Sequence, residues 1–457
     1  MKQKPPVQPG QVIEYEITGQ GHSGTGVGRF KGFTVFVPQA VPGEKVRARM
    51  TQVKKNYGQA ELLQVLKPHP DRTDPLCPVF AECGGCQSQH LSYETQLRLK
   101  RQQVIASFER IGGLQHITIH PVIGMKVPWR YRNKAQIPFG QEDGRVIAGF
   151  YRPGSHQIID MDACLIQHPE NDRVVAAVKQ LANELNIPAY DEQKHQGVLR
   201  HVMVRIGVQT NELMVVLVTN GDYLPHQKTL LEQLRSQFPN LKSIVQNINR
   251  KRTNVILGPD NRLLWGSPVI YDMIGSIRFS ISPHSFFQVN PSQTKVLYDQ
   301  VRKYAALTGT ETVVDAYCGI GTIALYLAQD AKQVYGVEIV PQAIEDARYN
   351  AELNGMKHVR FEAGAAEQVM PRWLKEGIKP DVIVVDPPRK GCDPALLDAV
   401  VGMLPDRLVY VSCNPATLAR DAKLLAEKGY ATVEVQPVDM FPQTGHVECV
   451  AKIILKS

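Results

Sequence analysis

The 457-residue chain reads as a multidomain α/β protein: an N-terminal OB-like β-barrel, an α+β central region, and a C-terminal doubly wound, Rossmann-like domain. Three observations predict this. Residues 9–66 alternate apolar and polar side chains in short bursts (VIEYEI, FTVFVP, KVRARMTQV, AELLQVL) split by glycine-rich turns, the pattern of a small antiparallel barrel. Residues 128–285 mix strands such as HVMVRIGV and ELMVVLVTN with two helical stretches, DRVVAAVKQLANEL and PHQKTLLEQLRSQF. After Pro283 strands and helices alternate, which implies a parallel sheet with ligands at the carboxyl ends of its strands.

Taken in order, the barrel is expected over 1–68, the central region over 69–285 and the parallel-sheet domain over 286–457. PHPDRTDPLCP, with four prolines in eleven residues, reads as a linker after the barrel. YETQLRLKRQQVIASFERIG, residues 93–112, spaces its apolar side chains as a helix does and sets basic residues between them. The net charge of +8 is concentrated in two places: residues 1–70 carry ten Lys/Arg against four Asp/Glu, and residues 91–134 carry eight against two. A localised basic footprint suits a polyanion, where the plain alternative is a solvated face. No apolar run approaches the ~18 residues a membrane span needs, and the N-terminus has no apolar signal segment, so a cytoplasmic protein is expected, with no membrane and no obligate protein partner.

Eight cysteines in such a chain point to ligands, nucleophiles or core residues before disulfides. Cys77, Cys83 and Cys86 form C-x5-C-x2-C, and Cys164 stands far downstream. Four soft ligands of this kind suit an iron-sulfur cluster or a zinc ion.

Three strand ends in the last domain carry chemistry. VVDAYCGIGTIA fits G-x-G-x-x-A after a strand, with Glu338 nineteen positions beyond Gly319 at the end of the next strand. Glycines let a cofactor approach the backbone and a strand-end carboxylate takes ribose hydroxyls, an arrangement that nicotinamide and S-adenosylmethionine sites share. DVIVVDPPR ends a second strand on Asp386, and its two prolines make a stiff wall rather than a hydride path. LVYVSCNP ends a third on Cys413, with Asn414 and Pro415 as cap and first residue of a helix whose N–H groups would activate the thiol. Cys318, Cys392 and Cys449 read as buried structural thiols.

With these pieces in place the chain resembles, over nearly its whole length, the S-adenosylmethionine-dependent RNA uracil-5 methyltransferases, in the branch acting on 23S ribosomal RNA. The matching pieces are a TRAM-like barrel, C-x5-C-x2-C with its distant cysteine, SFFQVNPSQ, DAYCGIGT, DPPRKG, SCNP and FPQTGHVECV. The transfer RNA branch with this catalytic domain typically lacks the barrel and the cysteines. The resemblance implies a [4Fe-4S] cluster on Cys77, Cys83, Cys86 and Cys164. It also implies S-adenosylmethionine contacts from Gln288, Tyr317, Gly319, Thr322, Glu338 and Asp386, with Cys413 as nucleophile and Glu448 as base. One departure stands out: where many relatives hold the adenine amino group with a polar acid, this chain has EAGAAEQ, with Ala365 and Ala366 there and Glu367 following.

The chemistry ties these residues together. Thiolate addition at uracil C6 makes C5 nucleophilic, and a base must then take the C5 proton. Glu448, thirty-five residues after Cys413 and flanked by Val447 and Cys449, suits that task, and His446 either orients it or packs. The target base must leave its stack, so the barrel, the helix 93–112 and WRYRNK (129–134) are expected to grip RNA. Rival readings are an archaeal-type transfer RNA uracil-5 methyltransferase, which can also carry a cluster and a TRAM domain, an iron-sulfur nicotinamide oxidoreductase and an inactive RNA-binding module.

Overall fold

Alternation along β1 (Val12–Gln20) points Ile13, Tyr15 and Ile17 inward and Glu14 and Glu16 outward. With β2 (Gly26–Phe30), β3 (Phe33–Val37), β4 (Lys45–Val53) and β5 (Tyr57–Lys67) it closes a barrel in the order β1-β2-β3-β5-β4. Val35, Val37, Val46, Ala48 and Met50 fill it. A Cβ at Gly28 would lie 2.2 Å from the Glu16 carbonyl, so β1 and β2 come this close only because that residue is glycine. The computed structural model describes residues 5–21 and 24–456; Met1–Lys4 and His22–Ser23 of the expected barrel, and Ser457, lie outside the described residues.

The chain forms two units. One comprises Met1–Pro128, Cys413–Lys423 and Glu434–Cys449; the other comprises Trp129–Ser412, Leu424–Val433 and Val450–Ser457.

In the first unit, the segment expected as a linker is tied down. Glu44 is fully buried and accepts from Arg72 Nε at 2.6 Å, while Asp71 accepts from Thr95 Oγ1 at 2.5 Å and its carbonyl from the Ser92 N–H at 3.0 Å. A buried carboxylate needs a cation, and Arg72 supplies it. The expected basic helix is α1 (Tyr93–Ser107), continued by a π turn over Phe108–Gly112 and stopped at Gly113, φ +62°. Of its basic residues Lys100 is buried, whereas Arg98, Arg101 and Arg110 stay exposed, the first two of them tied to groups of the protein. Lys100, 3% exposed, sits 2.6 Å from Asp439, Arg98 pairs with Asp71 at 2.9 Å, and Arg101 donates to the Ile119 carbonyl. β6 (Thr118–Ile119) pairs with Glu434 and Val435.

The second unit begins with a seven-stranded sheet. Its strands are β7 (Lys134–Glu142), β8 (Arg145–Tyr151), β9 (Ile158–Asp160), β10 (Leu199–Ile206), β11 (Leu213–Thr219), β12 (Leu241–Ile248) and β13 (Asp260–Gly266), in the order β13-β12-β11-β10-β7-β8-β9. The helices α2 (Pro169–Glu184) and α3 (Gln227–Gln237) bury Val174, Val178, Leu181, Leu230 and Leu234 in its core. A hairpin, β14 (Ile270–Ile274) and β15 (Ile277–Ile281), leads into α4 (Pro291–Ala305), which Asn290 caps with Pro291 as first residue.

Five parallel strands follow: β16 (Thr312–Ala316), β17 (Gln333–Glu338), β18 (Val359–Ala363), β19 (Val382–Val385) and β20 (Arg407–Ser412). Between them lie α5 (Thr322–Ala328), α6 (Pro341–Leu353), α7 (Ala366–Lys375) and α8 (Pro394–Gly402); α9 (Pro415–Glu427) follows β20. The order β18-β17-β16-β19-β20 continues through β22 (Glu448–Leu455) to β21 (Tyr430–Val438). The chain winds outward from β16 on one side and restarts at β19 on the other, so the switch point falls between β16 and β19. Among the described residues no helix is long and apolar enough to cross a membrane.

Candidate active site

The first group of expected residues meets at that switch point, in the second unit. β16 runs into Tyr317, which holds φ +87°, a strained value for a bulky residue, followed by Gly319 at φ +53° and Gly321 at φ +86°. The turn is fixed by the Tyr317 and Cys318 N–H groups donating to the Val337 carbonyl, each at 3.0 Å. A Cβ on Gly319 would meet nothing within 4 Å, so its glycine serves the backbone angle and open space lies over it. The Gly319 N–H donates to Glu338 Oε2 at 3.3 Å and the Val340 N–H to Oε1 at 3.0 Å, which fixes the Glu338 carboxylate at the end of β17. Thr322 Oγ1 accepts from Tyr298 at 2.8 Å. Gln288 is buried, and its carbonyl accepts from Asn133 Nδ2 at 3.1 Å. The Tyr317 phenol, pushed up by burial, lies in electrostatic reach of Cys392 and Glu367. Ala365 stands before α7 without a side-chain cap, and Glu367 is in the first turn of that helix.

Two residues here escaped the sequence reading. Ile339, directly after Glu338, is 67% exposed, an apolar surface suited to a flat ring. Asp315 is 1% exposed on β16, and the Ala324 N–H approaches it without full hydrogen-bond geometry. Burial, then Asp386 and Glu338, push its carboxyl up to about 8, while burial pushes Asp386 up to about 6. Both groups bind protons more tightly folded than unfolded. Their contribution to stability is therefore full below the ordinary carboxylate range and is lost as pH rises through about 6 and then about 8. Three carboxylates suit a cationic ligand, which favours their ionised forms. Affinity for the sulfonium S-adenosylmethionine is expected to rise between pH 6 and 8, by up to about tenfold per unit for one linked proton, and to rise less for uncharged-sulfur S-adenosylhomocysteine. Calorimetric titration of both ligands across that range checks this; a pH-independent ratio of affinities contradicts it.

The second group lies in the first unit. Cys413 follows β20, and Asn414 caps α9 as expected, its Oδ1 accepting from the Ala416 N–H at 3.1 Å and its carbonyl from the Leu418 N–H at 3.1 Å. Glu448 opens β22, 5% exposed between fully buried Val447 and Cys449. Burial comes first in raising the Cys449 thiol, followed by the charges of its chain neighbour Glu448 and of Cys413, so Cys413 lies within electrostatic reach of the residue beside Glu448. The loop before Glu448 is held by α1. Gln443 N–H donates to Gln96 Oε1 at 3.1 Å, Gln96 returns the bond to Gln443 Oε1 at 3.0 Å, and Asp439 takes Tyr93 and Lys100. The helix expected to grip RNA thus positions this loop. His446 packs edge-on against Phe441, with ring centroids 6.2 Å apart.

The cluster cysteines divide between the units, Cys77, Cys83 and Cys86 in the first and Cys164 in the second. Cys83 feels the charge of Cys77, and its sulfur accepts from the Gly85 N–H at 3.3 Å. Among the described residues no group of three or more His, Cys, Asp or Glu side chains comes together as a metal ion needs. Cys77 and Cys83 are thus in mutual electrostatic reach. WRYRNK is mostly built in as well: Tyr131 and Asn133 are buried and Arg130 pairs with Asp172.

Comparison with known proteins identifies the family. Residues 131–456 match the family described as tRNA (Uracil-5-)-methyltransferase, and residues 6–63 match the TRAM domain. Uncharacterized RNA methyltransferases of Halalkalibacterium halodurans and Bacillus cereus are 58% and 55% identical, covering 100% and 98% of both chains. The crystal structure of Pyrococcus abyssi tRNA (uracil-54, C5)-methyltransferase with S-adenosyl-L-homocysteine superposes with a TM-score of 0.77 at 28% identity, over 97% of this chain and 100% of that one. The chain therefore belongs to the S-adenosylmethionine-dependent RNA uracil-5 methyltransferase family and carries an N-terminal TRAM domain.

Proposed function

We propose that the protein methylates uracil C5 in 23S ribosomal RNA, with Cys413 as nucleophile and Glu448 as base. The observation that carries the mechanism is the sheet order, in which β22, opened by buried Glu448, is the neighbour of β20, the strand that Cys413 follows. The Cys413 thiolate adds to C6 and pushes the C5=C6 electron pair onto C5 and O4. C5 then takes the methyl group, whose bond to sulfur breaks as S-adenosylhomocysteine leaves. Glu448 removes the C5 proton, the ring double bond returns, and the Cys413 sulfur leaves with its electron pair. In this reading Gln288, Tyr317, Gly319, Thr322, Glu338 and Asp386 hold the methyl donor, with Glu367 near its adenine. The strand-end thiol and base have no use in nicotinamide chemistry, and family membership sets that rival aside.

The TRAM barrel and the cysteine spacing support ribosomal RNA. A second reading, transfer RNA, is favoured by a specific observation: the Pyrococcus protein that matches along its whole length is a tRNA enzyme. Mapping 5-methyluridine in 23S rRNA and tRNA from a deletion strain decides between them. The proposal expects loss in 23S rRNA with tRNA unchanged; the reverse overturns the ribosomal assignment and keeps the chemistry. The same reading gives Cys77, Cys83, Cys86 and Cys164 a [4Fe-4S] cluster, supported by their spacing and by the Gly85 N–H on the Cys83 sulfur. Protein purified without oxygen should be brown and contain iron, and colourless or zinc-only protein removes the cluster from the account.

A further inference from the structure

We infer that Arg132, Lys134 and Arg205 form an oxyanion site that takes a phosphodiester of the RNA substrate. The inference rests on the RNA-methyltransferase reading and adds a place on the protein that holds the substrate.

Lys134 opens β7, and its direct cross-strand partner on β10 is Arg205. Like charges placed opposite each other on one face of a sheet are destabilising. Here the cost is compounded by burial. Arg205 is 5% exposed, and its Nη2 is spent on the carbonyls of Ser285 at 2.6 Å and Pro283 at 3.2 Å. Lys134 is partly buried. Burial, then Arg205 and Arg132, push its ammonium down to about 7. Arg132 stands two residues earlier, on the approach to the same strand. His284, from the segment that Arg205 ties, is pushed down by burial and by Arg205.

Among the described residues no carboxylate acts on Lys134, Arg205 or His284, in contrast to buried Lys100, which pairs with Asp439, and half-buried Arg72, which pairs with Glu44. Among the described residues the Lys134 and Arg132 side chains make no hydrogen bond or ion pair, and both are partly accessible. Three cations gathered without a counter-ion form a ready binding place for an oxyanion, with strain that the anion relieves. Two anions belong to this enzyme class: a phosphodiester of the RNA and the α-carboxylate of the methyl donor. The RNA is favoured because the donor is a net cation, and its expected residues, Glu338 and Asp386 with the neighbouring Asp315, are acidic. RNA brings one negative charge per nucleotide.

The test compares wild type, Lys134→Met, Lys134→Arg and Arg132→Gln in four measurements: affinity for the RNA that the wild type methylates as a function of salt, affinity for S-adenosylhomocysteine, kcat and KM, and Tm. Lys134→Met is expected to weaken RNA binding about tenfold and to flatten the log-log salt slope by about 0.7, the loss of one phosphate contact on a single strand. S-Adenosylhomocysteine affinity should stay the same. Tm should hold or rise, since a repulsive partner is gone. Lys134→Arg should restore binding, and Arg132→Gln should show the same pattern if Lys134→Met fails to fold. Unchanged RNA affinity and slope overturn the inference. Weakened S-adenosylhomocysteine binding with RNA binding intact reassigns the site to the cofactor carboxylate and overturns it too, and a fall in Tm with both ligands weakened marks the cations as structural. A wild-type protein that neither binds nor methylates RNA refutes the parent reading in its own arm, before any variant is compared.

Discussion

Cys413→Ala is expected to abolish methyl transfer, with kcat/KM falling by at least about 10^4-fold, because no remaining group can form the covalent bond that makes C5 a nucleophile. The Asn414 cap and the α9 start do not depend on the sulfur, so the fold should survive the change. S-Adenosylhomocysteine affinity should stay within about twofold, since the expected donor contacts are other residues. Single-turnover methylation of an RNA fragment, measured beside calorimetric cofactor binding, reads both quantities. Residual turnover near the wild-type level would remove Cys413 from the reaction.

Glu448→Gln is expected to lower turnover by about 10^2- to 10^4-fold, the usual range for loss of a positioned base, and to leave a product of its own. Addition and methyl transfer come before proton removal, so the stalled species is RNA already methylated and still bonded to Cys413. A denaturing gel should show a slow protein–RNA band, and Cys413→Ala in the same chain should erase it. A variant that is slow without any adduct would assign Glu448 to an earlier step. The neutral amide is nearly isosteric, which suits a carboxylate 5% exposed between Val447 and Cys449.

Much of this arrangement is legible in the sequence because its signals are local. The alternation in VIEYEI, the asparagine and proline at the starts of α4 and α9, and the glycines after VVDAY each fix backbone geometry within a few residues. What the sequence hides depends on partners far along the chain. Lys100 looks like one more cation on a basic helix until Asp439, more than three hundred residues away, is found beside it. Arg72 sits in a proline-rich stretch that reads as slack, yet the buried Glu44 holds it. Asp315 is an acid in an apolar strand, and only the convergence of β16, β17 and β19 reveals that Asp386 and Glu338 share its neighbourhood. Lys134 and Arg205 are seventy-one positions apart and become a like-charge pair only through the register of β7 on β10. The cysteines divide in the same way: C-x5-C-x2-C is a local pattern that the sequence displays, while the pairing of those three with the distant Cys164 is a tertiary property that it does not.

Uracil carbon 5 is where the chemistry is assigned, and an isotope on that atom reports it directly. RNA transcribed with tritium at uracil C5 should release tritium into water in a one-to-one ratio with methyl groups transferred from S-adenosylmethionine, and Cys413→Ala should release none. Methylation of that RNA with the tritium retained would place the methyl group on another atom and contradict the account.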